Sequence, residues 1–291
     1  MREAGTASKN ADVVAVVLHY HEACRTARCL ESLIHEGITQ IVVVDNSADR
    51  GVSWRQVLDR LPAKYHSHLE VQAPPANLGF AAGVNLGISS VSPSGTHLLL
   101  FNSDAEAEAG MVGSMLSTLD AAPACKLVGA RQRSPSGQVH SPARFFHPWL
   151  GLHFSFFVPG SVQYLSGCAL LVRGDVATGS KLLDPEFFFY GEDVELSWRI
   201  QRGGGAILTA PSAYCRHEGA GSSRRYSHFY ELHLIRGIRL LAHRLIGNDY
   251  ARLFSSVPRE LLLSIRAIVH CVRAKTLEPI RAYLGIPSRT S

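Results

Sequence analysis

The sequence lacks the features that define several large classes of protein. No uncharged apolar run approaches the roughly 18 residues that a membrane-spanning helix needs, so we expect no such helix. Residues 1–12 are polar and contain no apolar core, so we expect no secretory signal. The six cysteines are scattered, without a partner pair at zinc-finger spacing, which favours reduced thiols in a cytosolic protein. Neither a GxGxxG fingerprint nor a P-loop occurs.

The composition is that of a globular chain with an uneven distribution of charge. Hydrophobic residues make up 46% of the 291 residues, enough for one large domain or two small ones. The net charge is +5, but residues 224–291 contain 12 Lys/Arg and 4 Asp/Glu and therefore carry +8. This asymmetry predicts an anionic partner, such as a membrane surface, nucleic acid or a phosphorylated substrate.

Apolar, β-branched runs alternate with helical patterns in the first half of the chain. Residues 13–18, 41–44 and 97–101 are continuous apolar runs, typical of strands buried on both faces. A helical pattern covers residues 23–36, between the first two runs. The order predicts an α/β fold in which right-handed crossovers join parallel strands.

Polar side chains follow these strands at the edge where ligands bind in open α/β sheets. Asp45 follows the second apolar run, and Asn102, Ser103 and Asp104 follow the run at 97–101. Asn102 and Asp104 are two residues apart in an extended segment and therefore point the same way. Their oxygens can hold a hard cation against a diphosphate, although turns are also rich in Asn and Asp.

Glycines recur every four residues in the segment 77–88. Gly79, Gly83 and Gly87 lie on one helical face, where they permit close approach of a neighbouring backbone or of a ligand. Tight packing of the helix alone would account for the glycines, but not for Asn77 at the start of the segment.

An acidic pair, Glu192 and Asp193, follows the aromatic run 187–190. A carboxylate beside such a run is incompletely solvated and needs a partner or a task. The alternative is that both acids simply stabilise the start of an amphipathic helix, which we predict over 193–201.

Two later segments are expected to be irregular. Residues 131–160 are rich in Pro, Gly, His and aromatic residues and predict a long connection that serves as a lid or a binding surface. Residues 213–223 are rich in glycine, and His217 within them is free to reach a metal or a phosphate. The alternative for His217 is a solvated loop residue. Strands are predicted at 164–172 and 206–208.

Taken in order, six motifs resemble those of inverting glycosyltransferases of family 2, in the bacterial rhamnosyltransferase-like branch. The resemblance extends from about Val13 to Ser223, which is most of the chain. The motifs are VVLHYH (16–21), VVVDNSADRG (42–51), NLGFAAGVNLGI (77–88), LLLFNSDAE (98–106), FFFYGEDVELSWRI (187–200) and RHEGAGSS (216–223).

The resemblance implies an α/β fold of the GT-A type, a Rossmann-like mixed sheet flanked by helices that binds nucleotide-diphospho-sugars. We assign this catalytic domain to residues 11–223 and a basic, helical C-terminal segment to residues 224–291. The implied cofactor is Mg²⁺ or Mn²⁺.

The resemblance also implies roles for matching positions. Asp193 would be the general base, and Glu192 would orient it or bind the acceptor. Asp104 takes the place of the last Asp of the DxD motif and, with His217, would hold the metal on the diphosphate. Asp45 would bind the base or ribose. The full set of implied nucleotide-sugar contacts is His19, Tyr20, Asp45, Asn77, Gly79, Asn102 and Ser103.

The implied reaction moves a sugar by direct displacement, with a base on one face and a metal on the leaving diphosphate. The first choice of donor is dTDP-L-rhamnose, and the acceptor is a cell-envelope glycan or a polyprenyl-linked saccharide. UDP-galactofuranose and UDP-N-acetylglucosamine are alternative donors. A module that binds a nucleotide sugar without turnover is the alternative to an enzyme.

The C-terminal segment predicts two basic amphipathic helices, at 226–246 and 253–272, the second interrupted near Pro258. Such helices lie on anionic membrane surfaces, or they pack on the catalytic domain or on another subunit; both alternatives stay open. We therefore expect a cytoplasmic protein, with peripheral contact at the inner face of the membrane under the first alternative. No aromatic–basic motif supports nucleic-acid binding, and none is expected. The oligomeric state is left open.

Overall fold

The computed structural model describes residues 13–91, 95–176, 181–217 and 226–288. Within these residues, nine strands form one mixed sheet: β1 (Val13–His19), β2 (Gln40–Asp45), β3 (Leu69–Gln72), β4 (His97–Asn102), β5 (Ala105–Ala107), β6 (Cys125–Arg133), β7 (Val139–His140), β11 (Ala169–Val172) and β12 (Ala206–His217). A second sheet contains β8 (Ala143–His147), β9 (Leu152–Phe154) and β10 (Val162–Leu165).

Eight α-helices occur in the described part of the chain: α1 (Ala23–His35), α2 (Val52–Leu58), α3 (Gly79–Ile88), α4 (Met111–Ala121), α5 (Glu192–Arg202), α6 (His228–Leu245), α7 (Asp249–Ala274) and α8 (Glu278–Tyr283). A short 3₁₀ helix at Ala63–His68 precedes β3. Of the helices in the C-terminal segment, α8 was not predicted from the sequence.

The large sheet has the order β3-β2-β1-β4-β11-β6-β12-β5, with β7 paired to β6. β1 lies parallel to both β2 and β4, so the carboxyl ends of these three strands meet at one edge. In this register His19 is opposite Asp45, and Leu18 is opposite Asn102. The predicted meeting of strand ends is thus confirmed.

The sheet is buried on both faces, as the continuous apolar runs predicted. Alternate residues of β1 enter different apolar clusters: Val13, Ala15 and Val17 pack on one side, and Val14 and Val16 on the other. Helices α1 and α4 cover the first side, whereas α3, α5 and α6 cover the second. This arrangement determines on which face of the sheet each side chain lies at the carboxyl ends of the strands.

The structure corrects three predictions about where strands begin and end. Residues 131–160 are not one irregular connection, because they contain the end of β6 and strands β7, β8 and β9. The segment 164–172 is not one strand: β10 and β11 belong to different sheets, and residues 166–168 turn between them. β12 extends to His217 instead of ending at Leu208, since its second half pairs with β5 and β6.

The C-terminal helices pack on the second side of the sheet. α6 buries Ile235, Ile238 and Leu241 in the same apolar cluster as the strands. α7 continues through Pro258, contrary to the predicted interruption, because buried residues on both sides of the proline hold the helix against the fold. In the described residues, none of the helices has both the length and the apolar character needed to cross a bilayer.

Candidate active site

A cleft of about 280 Å³ lies at the carboxyl edge of β1 and β4. Its wall combines strand ends, the start of α3, the turn at 166–168 and the aromatic run that precedes α5. Nine of the eleven residues predicted to form the site line this cleft: Tyr20, Asn77, Gly79, Asn102, Ser103, Asp104, Glu192, Asp193 and His217. Residues more than 100 positions apart in the sequence are therefore brought together as the motifs predicted.

The other two predicted residues, His19 and Asp45, do not line the cleft. His19 is fully buried, and its ring nitrogens lie 2.8 Å from Thr26 Oγ1 and 3.0 Å from Ser53 Oγ. Burial lowers the pKa of His19, so the ring is neutral at neutral pH. Asp45 is also buried, and its Oδ1 accepts the N–H of Ser47 at 3.2 Å. A direct nucleotide contact has no support in this geometry for either side chain.

The alternation of side chains along the strands explains this difference. His19 and Asp45 are register partners and lie on the same face of the sheet, whereas Leu18 and Asn102 share the opposite face. The opposite face carries the cleft, so the neighbour of Asp45, Asn46, lines it instead.

Asn46 is a site residue that the sequence analysis missed. Its Nδ2 donates to Asn77 Oδ1 at 2.9 Å and to the Gly79 carbonyl oxygen at 3.0 Å, and its Oδ1 accepts the N–H of Leu78 at 2.8 Å. These three hydrogen bonds fasten the start of α3 to the end of β2. The sequence signal that could have identified Asn46 is its position next to Asp45, in the motif that follows the apolar run of β2.

The glycines of α3 allow close approach of protein neighbours. A Cβ on Gly79 would lie 2.7 Å from Phe188 Cδ2, and the N–H of Phe80 donates to the Phe188 carbonyl oxygen at 2.6 Å. A Cβ on Gly83 would lie 2.7 Å from Leu18 Cδ2. The glycine face therefore sets the distances between α3, β1 and the aromatic run, and thereby the width of the cleft.

Asp104 and His217 form a pair on the cleft wall. Asp104 lies in the turn between β4 and β5, and His217 ends β12, beside β5. His217 Nε2 is 3.3 Å from Asp104 Oδ1, and both side chains are largely shielded from solvent. His217 is therefore a strand residue held in place, whereas a loop residue was expected. The glycine-rich residues 218–223 lie outside the described part of the chain.

The pair fits a divalent cation that also binds a diphosphate. Among the described residues, no group of three or more His, Cys, Asp or Glu side chains could hold a metal by itself. Mg²⁺ is commonly bound by one or two carboxylates together with phosphate oxygens, so two protein ligands in a cleft suit this use. Asp104 contributes the oxygen that such cations prefer, and His217 contributes a nitrogen.

Asp193 lies in the first turn of α5, with its carboxylate on the cleft wall. Its Oδ2 accepts the N–H of Gly167 at 3.1 Å, and its Oδ1 accepts the N–H of Val194 at 2.8 Å. Burial raises the pKa of Asp193 to about 6, because little water remains to solvate the charged form. The structure thus combines both interpretations of the acidic pair: Asp193 lies in the first turn of the helix and also faces the cleft.

Glu192 is buried beside Asp193. Its Oε2 has no hydrogen-bond partner in the described part of the protein. Burial, and then the neighbouring charge of Asp193, raises the pKa of Glu192 to about 8. Two adjacent buried carboxylates resist double ionisation, so the pair favours a single negative charge near neutral pH.

The remaining wall of the cleft is aromatic. Phe188 and Phe189 precede the acidic pair, and their ring centroids lie 6.2 Å and 6.0 Å from that of Phe229 on α6. The C-terminal segment therefore contributes directly to the cleft. The predicted division between residues 11–223 and 224–291 stays a prediction, since its boundary lies outside the described residues.

Two solved structures have the same fold as this chain. The chain superposes on GalNAc-T7 with UDP, GalNAc and Mn²⁺ with a TM-score of 0.62 at 15% identity, covering 85% of this chain and 50% of that one. A mannosyltransferase from Pyrobaculum calidifontis, in complex with GDP-Man and Mn²⁺, gives a TM-score of 0.55 at 16% identity over 94% and 86% of the two chains. The predicted GT-A fold is confirmed.

The family model described as "Glycosyltransferase like family 2" matches residues 11–239. The chain therefore belongs to glycosyltransferase family 2, as the motifs predicted, and is an enzyme that transfers a sugar. One relative is the N-acetylglucosaminyl-diphospho-decaprenol L-rhamnosyltransferase of Mycobacterium tuberculosis. It is 24% identical over an alignment of 224 residues, and the match covers 67% of this chain and 71% of the relative.

We expect Asn46→Asp to destabilise the fold by about 1–3 kcal/mol. The new carboxylate would face Asn77 Oδ1 and the Gly79 carbonyl oxygen without a donor to offer them. Asn248→Asp is the matched control, because Asn248 acts only as an acceptor, from the N–H groups of Tyr250 and Ala251, and Asp caps helices equally well. Urea unfolding measures both variants, and equal stability losses would contradict the role given to the Asn46 amide.

Proposed function

We propose that this glycosyltransferase moves L-rhamnose from dTDP-L-rhamnose onto a cell-envelope glycan or a polyprenyl-linked saccharide, with inversion at the anomeric carbon. The observation that carries this proposal is the arrangement of one cleft. Asp193, with its raised pKa, lines the same cleft as Asp104 and His217. A base and a diphosphate site in one cleft are the two parts that a direct displacement needs.

Asp193 serves as the base for the acceptor hydroxyl. As the acceptor oxygen bonds to the anomeric carbon, its proton passes to the Asp193 carboxylate, and the bond from that carbon to the diphosphate oxygen breaks. The N–H groups of Gly167 and Val194 fix the orientation of the carboxylate. No covalent intermediate forms, so a second carboxylate is not required as a nucleophile.

Glu192 limits the charge of the acidic pair. Burial and the neighbouring charge of Asp193 raise the pKa of Glu192, so the acceptor meets one charged carboxylate from the pair instead of two. Its unpartnered Oε2 is available to hydrogen-bond the acceptor or Asp193. Glu192 is thus a positioning residue beside the base.

Asp104 and His217 are proposed to hold Mg²⁺ or Mn²⁺ against the donor diphosphate. A bound divalent cation would stabilise the negative charge that develops on the leaving phosphate oxygens. Asn102 and Ser103 lie beside Asp104 on the cleft wall, where their side chains can hydrogen-bond the donor. Both solved structures described above contain Mn²⁺ with a nucleotide or nucleotide sugar, which supports this assignment.

The choice of rhamnose has two supports. The name of the Mycobacterium tuberculosis relative states both an L-rhamnosyl donor group and a diphospho-decaprenol acceptor. L-Rhamnose also carries a methyl group in place of a hydroxymethyl group, and the rings of Phe188, Phe189 and Phe229 provide an apolar wall for it. A cytoplasmic location is part of the proposal, because the cysteines are free thiols, as in a reducing compartment.

A screen of nucleotide sugars tests the donor and the metal together. We expect donor hydrolysis or transfer with dTDP-L-rhamnose in Mn²⁺ or Mg²⁺, and its loss in EDTA. Asp104→Asn should lower the rate about 100-fold, because several kcal/mol of charge stabilisation depend on the cation. Asp59→Asn, at an exposed carboxylate, is the control and should leave the rate unchanged.

The outcomes of the screen separate the parts of the proposal. A preference for UDP-galactofuranose or UDP-N-acetylglucosamine would replace the donor and leave the site roles in place. An undiminished rate in EDTA, or a fully active Asp104→Asn variant, would remove the metal role of Asp104 and His217.

Asp193→Asn should lower kcat by about 100-fold or more while nucleotide binding is retained, since asparagine keeps the shape of the side chain but cannot take the proton. Glu70→Gln removes an exposed carboxylate from β3 and is the control. Calorimetric titration with the donor nucleotide and single-turnover transfer measure the two effects. A normal rate in Asp193→Asn would remove Asp193 as the base.

A further inference from the structure

Helix α7 turns an apolar face to the solvent. Six of its side chains are between 55% and 74% exposed: Leu253, Phe254, Val257, Leu261, Ile268 and Val272. Apart from the neighbours Leu253 and Phe254, successive members are three, four or seven residues apart. We call this face the α7 ridge. It extends over about 30 Å of helix, and no charged side chain interrupts it within Asp249–Ala274, all of which the structure describes.

Three polar side chains from the middle of α7, Arg259, Arg266 and His270, face the protein instead. Arg259 is buried, and its Nη1 lies 3.3 Å from Ser255 Oγ. Arg266 and His270 both bind Glu231 of α6, a fully buried carboxylate, with His270 Nδ1 2.8 Å from Glu231 Oε1. The amphipathic pattern predicted from the sequence is therefore present, but its orientation is unusual. The apolar face of α7 points to the solvent, and the polar side chains Arg259, Arg266 and His270 point to the rest of the protein.

An exposed apolar stripe of this length indicates a surface that a membrane or another molecule covers. The inward ions show that the orientation of α7 is fixed, because rotating the helix would leave Glu231 buried without its two partners. The ridge is thus a stable feature of the folded chain.

The charge around the ridge favours an anionic surface as its partner. Residues 226–288 contain nine Lys/Arg and four Asp/Glu. Arg273 and Lys275 are exposed where α7 ends. A second copy of this chain would bring two segments of the same sign together, whereas anionic lipid headgroups are of opposite sign.

We propose that the α7 ridge inserts into the interface of an anionic phospholipid bilayer, with Arg273 and Lys275 among the headgroups. The helix would lie in the plane of the membrane, with its apolar side chains at the boundary of the acyl chains. The proposal deepens the proposed function, on which it rests for the lipid-linked acceptor, but vesicle binding is measured without donor or acceptor.

The inner face of α7, opposite the ridge, is joined to the cleft wall by two contacts of Tyr230. The Tyr190 ring, on the cleft wall, lies 5.3 Å from the Tyr230 ring, and the Arg266 guanidinium of α7 lies 6.0 Å from that ring. Tyr230 therefore separates the back of α7 from the cleft.

Vesicle flotation of the full chain tests the proposal. We expect wild-type protein to float with vesicles of phosphatidylcholine and phosphatidylglycerol, and less with phosphatidylcholine alone. The double variant Val257→Glu and Leu261→Glu should lose about 10-fold or more of this binding, because it places two anions at the acyl boundary. Val52→Glu with Val139→Glu, at exposed apolar residues away from α7, is the matched control and should bind as wild type.

Three outcomes would overturn the proposal. The first is absence of wild-type binding to the anionic vesicles, and the second is equal binding by the ridge variant. The third is a concentration-dependent dimer in sedimentation equilibrium that the ridge variant abolishes, which would assign the ridge to a second copy. Should the double variant fail to fold, Phe254→Trp supplies the answer: quenching above the wild-type background by brominated phosphatidylcholine in anionic vesicles supports insertion, and its absence contradicts it.

Discussion

The site depends on one constrained carboxylate, that of Asp193, which two backbone N–H groups hold while the surrounding protein excludes water. One N–H comes from Val194, the next residue in α5, and the other comes from Gly167 in a different part of the fold. The hydrogen bonds stabilise the charged form, and burial opposes it more strongly, which leaves the pKa raised. A carboxylate in this balance is a usable base near neutral pH.

Several distant features exist to maintain that geometry. The chain leaves β10 for β11 at residues 166–168, and this change of sheet presents the Gly167 N–H to the carboxylate. On the other side, Tyr190 and Gly191 both have positive φ, 69° and 105°, and turn the aromatic run into α5. Gly237 of α6 allows the helix to contact the Tyr190 carbonyl directly. The C-terminal helices therefore stabilise the site as well as extend the molecule.

Much of the site could be predicted from the sequence because strand ends leave local signals. Asp104 and Asn102 follow an apolar run, and the acidic pair follows an aromatic one, so position and chemistry coincide in each motif. The face of the strand was not predictable in the same way. β1 and β2 are buried on both sides, so they lack the polar–apolar alternation that would show which residues face the cleft. Asp45 was therefore predicted as a nucleotide contact, whereas its neighbour Asn46 is the residue that lines the cleft.

Other features were missed because their cause is not local. The short strands between residues 131 and 160 pair in a small sheet whose partners are set by the fold, and their turns resemble an irregular loop in the sequence. His217 looked like a loop residue because its strand is recognised only through pairing with β5. In α7 the sequence showed two faces, but the usual expectation, apolar side inward, was reversed by the buried Glu231 on α6.

The pH dependence of kcat/KM for the wild-type enzyme tests the central role of Asp193 most directly. The carboxyl must be ionised to take a proton, and its pKa is raised, so activity should be lost as the pH falls. The profile should show an acid limb with its midpoint near 6, below which the rate decreases about tenfold per pH unit. A rate that stays constant well below pH 6, down to the ordinary range of an exposed aspartate, would contradict the account.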